Sequence, residues 1–381
     1  MERSADRNSS VIQSSFMRST APNQPGAANP WPPEQVSHLS FDPRLAHVRG
    51  GAALLVLVFH VFHSFFGHWQ PQPGFSGLGW VVEGHTGVAL FFVLSGYLFM
   101  QIALRANGQL AYSAFLRNRA LRILPLYVVF FVVAISIGRD TFRPQDLLYL
   151  AFANLGQAPT SAQFMTGAAW TIAVEFAFYL VFPFLARFAV AGGLAYLPQC
   201  VLLLLTLKVG AYWASAQPTH MLYSTLLGRF DQFLIGMWAA QWACGPGRQM
   251  LRHNGGVHTA WLVALLLTQW AMLELLSLHA SYFGTQLRQP VWVLWPTVEA
   301  LGWAALLVVY VHWRGQLWAP LRSRLLLAGH ISYSLYLWHG LVIVALQQLA
   351  GPWWVGLLPW HLAAVVSTLV VLVVAGWLAT V

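Results

Sequence analysis

Long apolar runs, each close to the length of a bilayer-crossing helix and separated by short polar breaks, recur along most of the chain. A hydrocarbon core about 30 Å thick needs roughly 20 apolar residues in a helix rising ~1.5 Å per residue. Read this way, the pattern predicts about ten membrane-spanning helices at 48–66, 80–103, 121–138, 167–186, 194–213, 222–242, 257–279, 290–313, 325–350 and 360–381. The expected fold class is an all-α polytopic membrane protein with its helices in one bundle, without a soluble domain or internal repeat. A shorter apolar piece, 147–157, lies in the longest outer connection and suits a re-entrant or interfacial segment. Residues 1–42 break the pattern. They are rich in Ser, Pro, Asn and Gln, have no apolar core of the kind a cleavable signal peptide needs, and are expected to form a disordered cytosolic tail. The membrane domain then covers 43–381. Because the chain stops at Val381 inside an apolar run begun near His361, a natural protein that continues past Val381 is one reading of this end.

Composition sharpens the picture. Only 8% of the 381 residues are Asp, Glu, Lys or Arg while 58% are hydrophobic, against roughly 25% charged in an ordinary soluble domain. The 19 Trp and 12 Tyr suit aromatic belts at the two interfaces. A net charge of +9 raises the question of nucleic acid, but the arginines are scattered between apolar runs rather than gathered on one soluble face. No nucleic-acid partner is expected. Orientation explains them: with the N-terminus in the cytosol, Arg105, Arg117, Arg119, Arg122, Arg187, Arg248, Arg252, Arg314, Arg322 and Arg324 fall inside, and Arg139, Arg143 and Arg288 outside. Cys200 and Cys244 lie too far apart in sequence for a disulfide framework or a metal spacing. His68 and His85 have no neighbours that complete a ligand set, so no metal is expected.

Ionisable groups inside membrane spans are costly and mark cavities or pairs. Arg49 and His60 in the first span are eleven residues apart, close to three whole turns, so both point from one face with ~16 Å between their levels. Taken singly, Arg49 suits a headgroup anchor and His60 a hydrogen-bonded core histidine. Glu175 in the inward-running fourth span comes to nearly the same depth as His60. A carboxylate–imidazole pair serving a general base and a structural ion pair fit that depth equally well. Arg117, Arg119 and Arg122 cluster at the cytosolic entrance of the third span. Arg119 and Arg122 share a helix face and suit phosphate or pyrophosphate, while topology or anionic lipid is the blander account. Gly87 to Gly96 places small residues on a Phe-rich helix, which reads as close helix packing, and Ser95 is a poor nucleophile there. In the ninth span Ser332, Tyr333, Ser334, Tyr336 and His339 read either as interhelical hydrogen bonding or as a second polar wall of the same cavity.

Together these segments resemble the acyltransferase 3 family of integral membrane O-acyltransferases. The resemblance rests on Arg49 and His60, on Phe91-Phe92 and Ser95-Gly96, on Arg119 and Arg122, on Trp170 to Glu175, and on Ser332-Tyr333-Ser334 leading to His339, in family order over about residues 42–345. It implies transfer of an acyl group, usually acetyl, from cytosolic acyl-CoA to a hydroxyl of a carbohydrate or glycolipid acceptor, typically a bacterial cell-envelope glycan. The expected site has His60 as base or transient acyl carrier and Glu175 orienting or polarising it. Arg49, Arg119 and Arg122 are expected on the donor phosphates, with Trp170, Tyr336 and His339 on the acceptor. The expected place is the bacterial inner membrane, among membrane lipid. The rival reading is a proton-coupled transporter, in which His60, Glu175 and His339 relay protons and the arginines hold an anionic solute. Inverted repeats with broken helices at matching positions would favour it, and the sequence has none.

Overall fold

The computed structural model describes residues 42–67, 69, 77–140, 169–252, 255–282, 288–349 and 353–380. The expected tail up to residue 41, the 147–157 piece and His68 lie outside the described residues. Regular structure within them is helical, with no strand. The long helices are α1 Pro43–Phe62, α2 Thr86–Arg105, α3 Tyr112–Ile137, α4 Ala169–Gly192, α5 Tyr196–Ala214, α6 Leu226–Cys244, α7 Gly255–His279, α8 Val291–His312, α9 Ala319–His330, α10 Ser332–Leu349 and α11 Trp360–Leu378. Local chemistry sets the start of α1: Asp42 accepts from the Arg44 N–H as N-cap, and Pro43 opens the first turn, where its missing N–H costs nothing.

Seven helical stretches are long and apolar enough to cross a membrane, or eight when the bent α9–α10 pair is counted. The expected ten differ in how two regions are divided. α4 and α5 run together as one apolar stretch of 45 residues, whose ~67 Å would be about twice the hydrocarbon thickness if straight. α6 is as long as its neighbours but carries Arg229, Asp231, Gln232 and Gln241. Two expected boundaries are corrected. α3 begins at Tyr112 rather than near 121, so Arg117 and Arg119 join Arg122 within the helix, all in its first three turns. The single ninth span is two helices meeting at 81° around Ile331. Close approach at Gly329, where an added Cβ would strike the backbone of Ala46, and a hydrogen bond from Ser332 Oγ to Gly329 O fix that corner.

α1, α2, α6 and α8 form the buried centre, while α3, α5, α7 and α11 turn much of their apolar surface outward. Side chains such as Leu202, 63% exposed, and Val373, 67% exposed, make an apolar exterior that a bilayer solvates and water would not. The small residues of α2 pack as the sequence implies. Gly87 meets the Ala52 backbone of α1, and Gly96 and Gly236 meet reciprocally at the α2–α6 crossing, against the carbonyls of Phe233 and Val93. A methyl group at either glycine of that crossing has no room.

Candidate active site

Four helices bring polar side chains together in a column along the axis of α1. At one end stand Arg49 of α1 and Arg119 and Arg122 of α3. Arg49 interacts electrostatically with Arg122, Glu175, Tyr179 and Arg119, and Arg119 with Tyr179, Arg122 and Glu175. Arg49 and Arg119 thus both act on the Glu175 carboxylate, with Arg122 close to each of them, leaving this end cationic. Arg119 lies over the Phe99 ring, 5.2 Å from its centroid, and its buried Nε has no hydrogen-bond partner. A phosphate would supply the missing acceptor.

Glu175 of α4 sits next. It accepts from Ser95 Oγ of α2 at 3.1 Å and from the Tyr179 hydroxyl one turn along its own helix. The depth argument brought Glu175 level with His60, but rise along a helix says nothing about which way a side chain faces. The carboxylate bonds Ser95 and Tyr179 and acts on the arginines. Ser95, read from sequence as a packing residue only, is a ligand of this carboxylate.

One turn above Glu175, Thr171 Oγ1 is 2.8 Å from the Tyr336 hydroxyl of α10. Tyr336 in turn faces the His339 ring at 5.7 Å. His339 lies beside His60, with ring centroids 4.8 Å apart. His60 Nδ1 is 2.8 Å from the Val56 carbonyl. A carbonyl only accepts, so Nδ1 carries the proton of the neutral ring and Nε2 carries the basic lone pair. The same reasoning applies to His339, whose Nδ1 is 3.3 Å from the Leu335 carbonyl. Trp69, with φ 58, holds its ring 5.8 Å from that of His60.

Arg49, Arg119, Arg122, Glu175, Tyr336, His339 and His60 thus fall along one path. His60, Glu175, Arg49 and Arg119 are each half-buried although they lie inside the bundle, the exposure of groups lining an internal opening. Trp170 stands elsewhere. It is 6% exposed, packs on Tyr223 and Phe92 and lies under the Arg229 guanidinium.

Arg229 belongs to a second polar cluster that the sequence reading passed over. It bonds Glu299 at 3.4 Å and the Tyr223 carbonyl at 2.6 Å. Gln232 also donates to Glu299, at 3.2 Å. Lys208 pairs with Asp231 at 2.7 Å, and Thr297 donates to the same carboxylate. Glu83 and His85 pair at 2.8 Å. These ions are buried and mutually compensated, unlike the half-buried column. Among the described residues no group of three or more His, Cys, Asp or Glu is placed to hold a metal.

An apolar-walled helical bundle with an internal line of ionisable groups defines an integral membrane protein. The chain belongs to the acyltransferase 3 family: the profile described as "Acyltransferase domain" matches residues 42–380. Two curated relatives agree. The chain is 32% identical to "Acyltransferase MdmB" of Streptomyces mycarofaciens over 152 residues, covering 37% of this chain and 38% of that one. It is 24% identical to "Putative peptidoglycan O-acetyltransferase YrhL" of Bacillus subtilis (strain 168) over 362 residues, covering 84% of this chain and 51% of that one. The aligned parts thus make up about two fifths and half of those relatives' lengths. No solved structure matches the chain at a significant level.

Proposed function

We propose that this protein is an O-acyltransferase of the bacterial inner membrane, with its N-terminus in the cytosol and ten crossings. It moves an acyl group, acetyl in the simplest case, from cytosolic acyl-CoA to a hydroxyl of an envelope carbohydrate. The ten crossings count α4 and α5 separately, admit α6 and treat α9–α10 as one bent span. The observation that carries the reading is the polar column: a cationic end with an unsatisfied guanidinium N–H, and a paired-imidazole end ~16 Å away along α1.

In this reading Arg49, Arg119 and Arg122 hold the phosphates of the donor, and its pantetheine arm runs up the column past Glu175 toward His60. Tyr336 and His339 face the acceptor, and Trp170, packed under Arg229, is left out of this site. His60 Nε2 takes the proton of the acceptor hydroxyl as its oxygen bonds to the thioester carbonyl carbon. The C–S bond then breaks, and the leaving thiolate takes the proton from the His60 imidazolium, so that ester and free thiol leave with no net proton change. Glu175, bound by Ser95 and Tyr179, offsets the charge of the arginines and holds the column open between the two ends. The low-dielectric surroundings strengthen these interactions and keep water from the thioester.

The test is incubation of purified protein with radiolabelled acetyl-CoA and isolated envelope glycans, following free coenzyme A and labelled glycan. Both should appear together in the unmodified protein and neither in His60→Ala. Release of coenzyme A without labelled glycan under all acceptors tried, or unchanged transfer in His60→Ala, sinks the assignment.

A further inference from the structure

A groove on the outer surface takes no part in the column. α6, α7 and α8 leave between them a cavity of about 510 Å³, inside the roughly 300–1,000 Å³ of ordinary ligand pockets. Trp238, Trp242 and Trp261 wall it, Met250 and Leu251 close one end, and almost nothing polar faces it. It opens outward, where Met250 is 49% and Leu301 47% exposed. In a bilayer such an opening is filled by hydrocarbon, so the question is which lipid supplies it.

The closed end holds the answer. Met250 and Leu251 stand between Arg248 and Arg252, both exposed. Arg105, at the end of α2, acts together with Arg248 on Cys244, the last residue of α6, which gathers two cations around one helix end, and Arg252 follows Arg248 by four residues. Among the described residues none of the three guanidinium groups makes an ion pair. Arg229 and Lys208, by contrast, are each matched by a carboxylate. A charge that only fixes topology needs no groove beside it. A hydrocarbon slot ending in unpaired arginines matches the two chemical halves of one molecule.

We propose that this groove binds an anionic phospholipid, with one acyl chain along Trp238, Trp242 and Trp261 and the phosphate headgroup on Arg248, Arg252 and Arg105. The site is separate from the acyl-transfer column and stands or falls independently of it.

The three wall tryptophans make the test direct. Protein in neutral detergent is titrated with phosphatidylglycerol or phosphatidylcholine carrying brominated acyl chains, which quench indole fluorescence on contact. Phosphatidylglycerol should reach half-maximal quenching at a roughly thirty- to 150-fold lower mole fraction, the advantage expected of two to three basic side chains at about 1 kcal/mol each at a membrane surface. The advantage should shrink as salt is raised. Arg105→Gln/Arg248→Gln/Arg252→Gln should bring the two lipids together while leaving chain quenching in place, and Ala264→Phe/Ala305→Phe should weaken quenching by both. Trp238→Phe/Trp261→Phe should remove part of the quenchable signal. Equal quenching by the two lipids in the unmodified protein overturns the proposal without need of any variant, as does a preference that survives in the triple arginine variant.

Discussion

The proposed mechanism puts binding and chemistry at opposite ends of the column, so two substitutions should separate them. Arg119→Ala removes one charge-assisted phosphate contact, worth ~1.5–3 kcal/mol, and should raise the donor dissociation constant by roughly 10- to 150-fold. It also gives up the stacking of Arg119 over Phe99 at 5.2 Å, about 0.5–1 kcal/mol at such a site, too little to unfold the protein. His60→Ala removes the base and should lower turnover by ~10²–10⁴-fold. Cross-talk is limited by distance. At ~16 Å and an effective dielectric near 20, a unit charge contributes about 1 kcal/mol, a factor of roughly five, so the arginine change cannot imitate loss of the base. Donor affinity is read by calorimetry with a non-hydrolysable acetyl-CoA analogue, and chemistry by single-turnover release of coenzyme A. Arg119→Lys should recover only part of the affinity, because it keeps charge but loses the planar fork. A His60→Ala protein whose donor affinity falls tenfold, or an Arg119→Ala protein whose affinity is unchanged, would falsify the division of the column.

Three further outcomes follow from the same contacts. Arg229→Met strands the buried carboxylate of Glu299 and should destabilise the protein by ~3–5 kcal/mol, read as a lowered thermal midpoint in detergent, with much of the loss recovered in Arg229→Met/Glu299→Leu; equal midpoints for Arg229→Met and the unmodified protein would show the pair to be inert. Gly96→Ala pushes a methyl into the Phe233 carbonyl of α6 and should cost at least ~1–3 kcal/mol, whereas Gly210→Ala, with nothing near its Cβ, should be neutral or better; similar effects at both glycines would refute the α2–α6 contact. In a background lacking Cys200 and Cys244, Gln217→Cys should react with an impermeant maleimide added outside intact cells and Gln249→Cys should not, both positions being exposed; the reverse pattern would invert the proposed topology.

Most of the helical framework was legible because the bilayer leaves so few choices: every apolar run had to become a helix. The errors came where the chain departs from that rule. α3 starts nine residues before its apolar run, because Arg117, Arg119 and Arg122 interrupt the hydropathy without breaking the helix, and Arg119 lies over Phe99. The corner at Ile331 hides inside an apolar run, since what bends the chain there is contact with Ala46, far away in sequence. Helical period puts Arg49 and His60 on one face of α1, and depth brings Glu175 near their levels. Depth carries no azimuth, however, and Glu175 turns to Ser95 and Tyr179. Lys208, Arg229, Asp231 and Glu299 carried the same signal as Glu175, a charge within an apolar run. Their pairings span 23 and 70 residues, which no local pattern reports.

The difference between the two sets of ions follows from what each must do. A charge sealed in the interior is tolerated only when paired and hydrogen-bonded, and such pairs lock the elements that carry them. Lys208–Asp231 ties α5 to α6, Thr297 ties α8 to the same carboxylate, and Arg229–Glu299 ties α6 to α8 again. The reciprocal glycines then bring α2 hard against α6. These contacts make α2, α5, α6 and α8 one braced block. The column is built against that block from α1, α3, α4 and α10, and within it Arg49, His60, Arg119 and Glu175 stay half-buried. Ser95 of α2 joins the two systems through its bond to Glu175. A base accelerates transfer only when it is held within hydrogen-bond reach of the reacting hydroxyl, and a misplacement of about 1 Å can cost 10²-fold. The sealed ion pairs can therefore influence turnover without touching a substrate, by keeping still the wall against which His60, His339 and Glu175 are arranged.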